Sequence, residues 1–79
     1  MSGKSAYASI SSIAIPQSGD GVNVNILGVI LNEDNTVDTQ FQVTALTHVG
    51  DSIKDIRRAL ETEFQVERGT DIDLIILDL

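Results

Sequence analysis

Residues 37 to 64, VDTQFQVTALTHVGDSIKDIRRALETEF, change their hydrophobic period half-way along, and that change decides the fold. Val37, Thr39, Phe41, Val43 and Ala45 alternate with Asp38, Gln40, Gln42 and Thr44. Side chains on a strand point alternately to its two faces, so this pattern is a half-buried β-strand. Further on, Ile53, Ile56, Leu60 and Phe64 fall on one arc of a helix, with Lys54, Asp55, Arg58 and Thr62 on the far side. The spacing predicts an amphipathic helix over roughly residues 52 to 66. Asp51 and Ser52 are candidate N-caps, Asp55 stands where a capping box has its acid, and Gly69 is a suitable C-terminal stop.

Upstream, VNVNILGVILN (residues 22–32) places Val22, Val24 and Ile26 on one face, and NEDNT (32–36) supplies the turn chemistry for a hairpin. Gly28 inside that strand is a candidate bulge, which would flip the faces of everything after it. SAYASISSIAI (5–15) is a weaker strand whose alternation breaks at Ser11-Ser12, and PQSGDG (16–21) is a strong turn. After the helix, DIDLIILDL (71–79) gives a last strand, with Ile72, Leu74 and Ile76 on one face and Asp71, Asp73, Ile75, Leu77 and Leu79 on the other.

The expectation is a single α+β domain over residues 1–79. A three-stranded antiparallel meander, one crossover helix and a C-terminal strand make a β-β-β-α-β chain, a four-stranded sheet with one helix on one face. The crossover sets the last strand parallel to the third and most easily beside the first, for an order 3-2-1-4.

With 79 residues, the chain buries only about 60 to 65% of the surface its unfolded form exposes. The absence of Cys removes disulfides, thiolate nucleophiles and Cys-based zinc sites, leaving packing or association to supply stability. Twelve acidic residues against five basic ones give a net charge of −7, which opposes the phosphate neutralisation that nucleic-acid binding needs. No run approaches the ~18 apolar residues of a membrane span, and the N-terminal MSGKSAYASISS has no apolar core for a signal peptide. A soluble, cytoplasmic protein without cofactor or metal is expected.

The motifs that carry chemistry are weak. SGKS (2–5) has the letters of a phosphate loop's end but no strand and glycine arc before it. His48 has Asp51 and Ser52 nearby, too adjacent in sequence to build a nucleophilic site. Asp71 and Asp73, about 6 to 7 Å apart along a strand, lack the third ligand a cation requires. NEDNTVD (32–38) lacks the glycine and the bidentate Glu of a calcium loop. Lys54, Arg57 and Arg58 read as a solvated helix flank, with Asp55 and Glu61 placed to pair Arg58 and Arg57. No catalytic residue is assigned.

What remains is an apolar surplus. One helix covers one face of a sheet, so Leu27, Val29, Leu31, Ile75, Leu77 and Leu79, with Leu46, have no evident cover within the chain. Contiguous apolar surface of this kind marks an interaction site. A terminal strand at a sheet edge also offers unpaired backbone groups. The leading expectation is a non-enzymatic interaction or assembly module that self-associates through its sheet, a part suited to a larger assembly such as a viral or phage particle. The runner-up is a small acidic inhibitor or regulator presenting Glu33, Asp34, Asp38, Asp71 and Asp73 to a basic protein. A small enzyme using carboxylates comes third.

Overall fold

The structure, a computed structural model, describes residues 3–15 and 19–79. Three strands, β1 (Ser5–Ala14), β2 (Gly21–Leu31) and β3 (Val37–His48), form an antiparallel meander. Helix α1 (Ile53–Arg68) then carries the chain back to β4 (Asp73–Ile76), which pairs parallel to β1. The sheet order is β3-β2-β1-β4, and the molecule extends 45 × 19 × 19 Å. No helix among the described residues is long and apolar enough to cross a membrane.

The turn between β2 and β3 is built as its composition demands. Asn32 N–H donates to the Thr36 carbonyl at 2.8 Å, Asn35 N–H donates to the Asn32 carbonyl at 2.9 Å, and Asn35 takes a positive φ of 69°. Asn tolerates that left-handed conformation better than most residues. At the helix start, Asp55 N–H donates to Ser52 Oγ at 3.2 Å, so Ser52 is the N-cap. Asp51 caps the end of β3 instead, accepting from His48 N–H at 2.9 Å. The helix stops where Gly69 takes a φ of 86°, its N–H bonded to the Gln65 carbonyl at 2.7 Å.

The core lies between the helix and one face of the sheet. Leu60 and Phe64 are fully buried over Ala6, Ala8, Val24, Ile26, Ile30, Phe41, Val43, Ala45 and Ile76. Of the expected helix arc, Ile56 is half-buried and Ile53 is exposed. Phe41 and Phe64 meet edge to face, with ring centres 5.0 Å apart, an arrangement that aromatic quadrupoles favour. The row across the sheet that contains Phe41 continues through Gly28, Ala8 and Ile76. Small residues in its middle leave the space that the two rings use.

Gly28 is therefore not a bulge, since the register runs regularly through it on both sides. It is glycine because β1 comes too close for a side chain: a Cβ there would overlap the Tyr7 carbonyl oxygen and lie 2.8 Å from Ala8 Cα and Cβ. The register shifts instead between Ile10 and Ser12 of β1, and where Ile30 and Leu31 meet Thr39 and Val37. The first accounts for the broken alternation at Ser11-Ser12. The second makes Asp38 the extra residue and turns Val37 away from the core face on which its alternation with Thr39 had placed it. Pro16, Gln17 and Ser18 of the PQSGDG turn, and Ser2 of SGKS, lie outside the described residues.

Substituting Gly28→Ala should destabilise the fold by about 2 to 3 kcal/mol through overpacking against backbone. At ~1 kcal/mol per molar for so small a chain, the urea midpoint should fall by about 2 M or more. An unchanged midpoint would mean that β1 and β2 do not approach so closely.

Candidate interaction surface

Register assigns the face opposite the helix. Tyr7 stands between Val29 and Ile75 in neighbouring strands, giving an apolar row across β2, β1 and β4. Leu27 and Leu31 flank that row on β2, and Val37 extends it beside Leu31. Leu27 is 50% exposed, Ile75 41% and Tyr7 36%, while Val29 and Leu31 are half-buried. Between β2 and β3 the same face carries a shallow depression of about 510 Å³, lined by Leu27, Gly28, Val29, Gln40, Phe41 and Gln42.

Towards the far end the surface becomes polar and self-satisfied. Asn25 Oδ1 accepts from Thr44 Oγ1 at 2.7 Å and from Gln42 Nε2 at 3.1 Å, and Asn25 Nδ2 donates to Ser12 Oγ at 3.5 Å. This bridge across three strands separates the apolar patch from Leu46, which is exposed beyond it in the row with Asn23.

Two expected members of the patch need correction. β4 ends at Ile76, so the alternation that ran through DIDLIILDL stops there. Leu77 is exposed in the turn that follows, its N–H donating to the Ala8 carbonyl at 2.8 Å. Leu79 packs against the core instead of extending the opposite face, because the turn reverses its side and Arg57 Nη2 holds its carbonyl oxygen at 2.7 Å. Arg57, expected to pair with Glu61, thus ties the helix to the segment after β4. Tyr7 and Val37 are the members that sequence reasoning missed. Tyr7 shares parity with Ser5 and Ser9, opposite to Ala6, Ala8 and Ile10, and that alternation was the available signal.

The acidic residues gather at one end of the sheet. Glu33 and Asp34 lie in the β2–β3 turn, Asp38 is the second residue of β3, and Asp73 begins β4 in the row with Ser5 and Leu31, with Asp71 just before it. Lys4 Nζ pairs with Asp38 at 2.9 Å and so partly neutralises this pole. Asp34 Oδ1 accepts from Thr36 Oγ1 at 2.6 Å and from Thr36 N–H at 3.1 Å. The Thr36 hydroxyl first, and its amide second, hold the Asp34 carboxyl below the ordinary aspartate value.

His48 is exposed, its Nδ1 3.9 Å from Asp51 Oδ2. Among the described residues, no three His, Asp or Glu side chains gather where they could hold a metal ion. No family model, curated protein or solved structure matches this chain.

In Thr36→Val, the Asp34 pKa followed by carboxyl NMR should rise towards the ordinary range. The folded value is depressed, so the bond's contribution to stability is present above about pH 4 and lost as pH falls through the lower folded value. An unmoved Asp34 titration would remove Thr36 as the cause.

Proposed function

We propose that this chain is a non-enzymatic assembly module that associates with copies of itself through its sheet. The observation that carries this reading is the uncovered apolar row Ile75, Tyr7 and Val29 on three adjacent strands, flanked by Leu27 and Leu31. Removing such side chains from water is favourable by about 25 cal/mol per Å² of apolar area. With the helix lying on the opposite face, no other element among the described residues packs over them, and a second copy of the sheet would cover them. The depression between Leu27, Val29 and Gln42 is concave enough to take a side chain from that molecule. At a net charge of −7, two copies repel one another at long range, so the contact surface has to be poor in charge. The patch consists of Tyr and aliphatic residues, with its acids confined to one margin.

That margin favours a second reading. The gathering of Glu33, Asp34, Asp38, Asp71 and Asp73 at one end of the sheet is the observation for an acidic regulator that meets a basic protein surface. Such a complex would weaken steeply with salt, whereas burial of the apolar row would not.

Leu27→Asp and Ile75→Asp place a charge on side chains that are already half exposed, so the monomer should fold. An unpaired charge in a buried contact typically costs 2 kcal/mol or more, roughly a 30-fold loss of affinity or greater. Light scattering during size-exclusion chromatography should therefore show a lower mass for each variant than for the wild type. Masses equal to the wild type would refute association through this face.

A further inference from the structure

The sheet has two edges, and they are built differently. β4 is four residues long and starts with an acid. Where β1 runs on past it, the Asp78 carboxylate closes the ladder by accepting from Ile10 N–H, 3.0 Å from each oxygen. β3, the opposite edge, is twelve residues long.

The hydrogen-bond alternation shows which backbone groups β3 leaves open. Val49 N–H donates to the Asp20 carbonyl at 2.8 Å, one step beyond the Gly21–His48 pair. Counting back in an antiparallel ladder, Thr47, Ala45, Val43, Phe41 and Thr39 turn their N–H and C=O groups towards β2. His48, Leu46, Thr44, Gln42 and Gln40 turn theirs outward. At His48 both groups are taken, the N–H by Asp51 Oδ2 and the carbonyl by Asp51 N–H at 3.1 Å. At the other end, the register shift at Asp38 breaks the strand's regularity, and Asp38 is held by Lys4. Between these stops, the N–H groups of Gln40, Gln42, Thr44 and Leu46 have no partner among the described residues. Natural edges are usually guarded by lysine, proline or a charge. Residues 39–47 contain none of these, in a chain whose net charge is −7.

We infer that β3 pairs antiparallel with β3 of a second copy, about a two-fold axis through Val43, to make an eight-stranded sheet. The inference rests on the reading of the chain as a self-assembling module and identifies a second contact for it. The register follows from the open groups. Gln40 opposite the partner's Leu46 and Gln42 opposite the partner's Thr44 give every outward group a partner on both strands, whereas a two-residue slip leaves Gln40 or Leu46 unpaired. In this register Phe41 faces the partner's Ala45, large against small, and Val43 faces its own copy. No charge meets a like charge within the paired segment, which is what makes a second copy of this acidic chain an acceptable occupant. The helix leaves the edge accessible: a depression of about 340 Å³ between Ala45, Leu46, Ala59, Thr62 and Glu63 lies open beside it.

Two contacts of different kinds are separable. Thr44→Pro removes an outward N–H and leaves the backbone bonds of the β2–β3 ladder in place, losing besides it only the side-chain bond from Thr44 Oγ1 to Asn25, at a position where an edge strand tolerates proline. Where wild-type assemblies use edge and face together, Thr44→Pro should halve the mass by removing the edge contact, and Leu27→Asp should halve it by removing the face contact. Amide hydrogen exchange on the unaltered chain reads the same edge without a substitution. The Gln40, Gln42, Thr44 and Leu46 amides should be protected at least 100-fold more in concentrated, assembled protein than in dilute monomer. If assembled protein leaves these amides as labile as the monomer, edge pairing is overturned while face association stands. Protected amides with Leu27→Asp unchanged in mass would uphold the edge and overturn the face. A chain that stays monomeric would overturn both.

Discussion

A helix of sixteen residues can shield only one face of a four-stranded sheet, and the rest of the molecule follows from that limit. On the shielded face the chain uses its two phenylalanines and its smallest residues together. Gly28 and Ala8 lower the middle of the sheet, and Phe41 and Phe64 use the space so created. The helix is fixed at both ends by specific chemistry, with Ser52 capping its start and Gly69 ending it, while Arg57 reaches across to the Leu79 carbonyl. On the unshielded face the same sequence places Tyr7, Leu27, Val29 and Ile75 side by side. With a core on one side and an apolar stripe on the other, the proposed self-association would add to the stability of a chain this small.

The sheet's polar groups divide the outer face into regions of different polarity. Asn25, Thr44, Gln42 and Ser12 bond to one another and tie three strands together, so that end is satisfied internally. The acidic end is partly neutralised by Lys4 and partly ordered by the Asp34–Thr36 bonds. Between them lies the apolar row, which nothing within the described chain satisfies. The edges repeat the contrast, since Asp78 and Asp51 close backbone groups at β1 and at the end of β3, and the middle of β3 is left open.

Much of this was legible in the sequence because period and turn chemistry are local. The alternation from Thr39 to Ala45, the helical arc ending at Phe64 and the NEDNT turn needed only neighbouring residues, and the crossover most easily set the last strand beside the first, for the order 3-2-1-4. Register is not local, and the misreadings share that cause. Gly28 carries the usual mark of a bulge, yet its glycine answers to the approach of β1, which no inspection of β2 alone reveals. Asp38, with no such mark, is the extra residue and turns Val37 over. Leu79 kept the alternation of a strand that had ended three residues earlier at Ile76. The open backbone of β3 depends on its register with β2 and on the Val49–Asp20 bond, which together decide which of its groups turn outward.

Self-association through an apolar sheet is the central claim, and sedimentation equilibrium of the unaltered chain tests it most directly. Across a range of concentrations in low and high salt, the mass should exceed that of one chain and should hold or rise with salt, as like-charge repulsion is screened. A single-chain mass at every concentration, or an assembly that high salt dissolves, would contradict it.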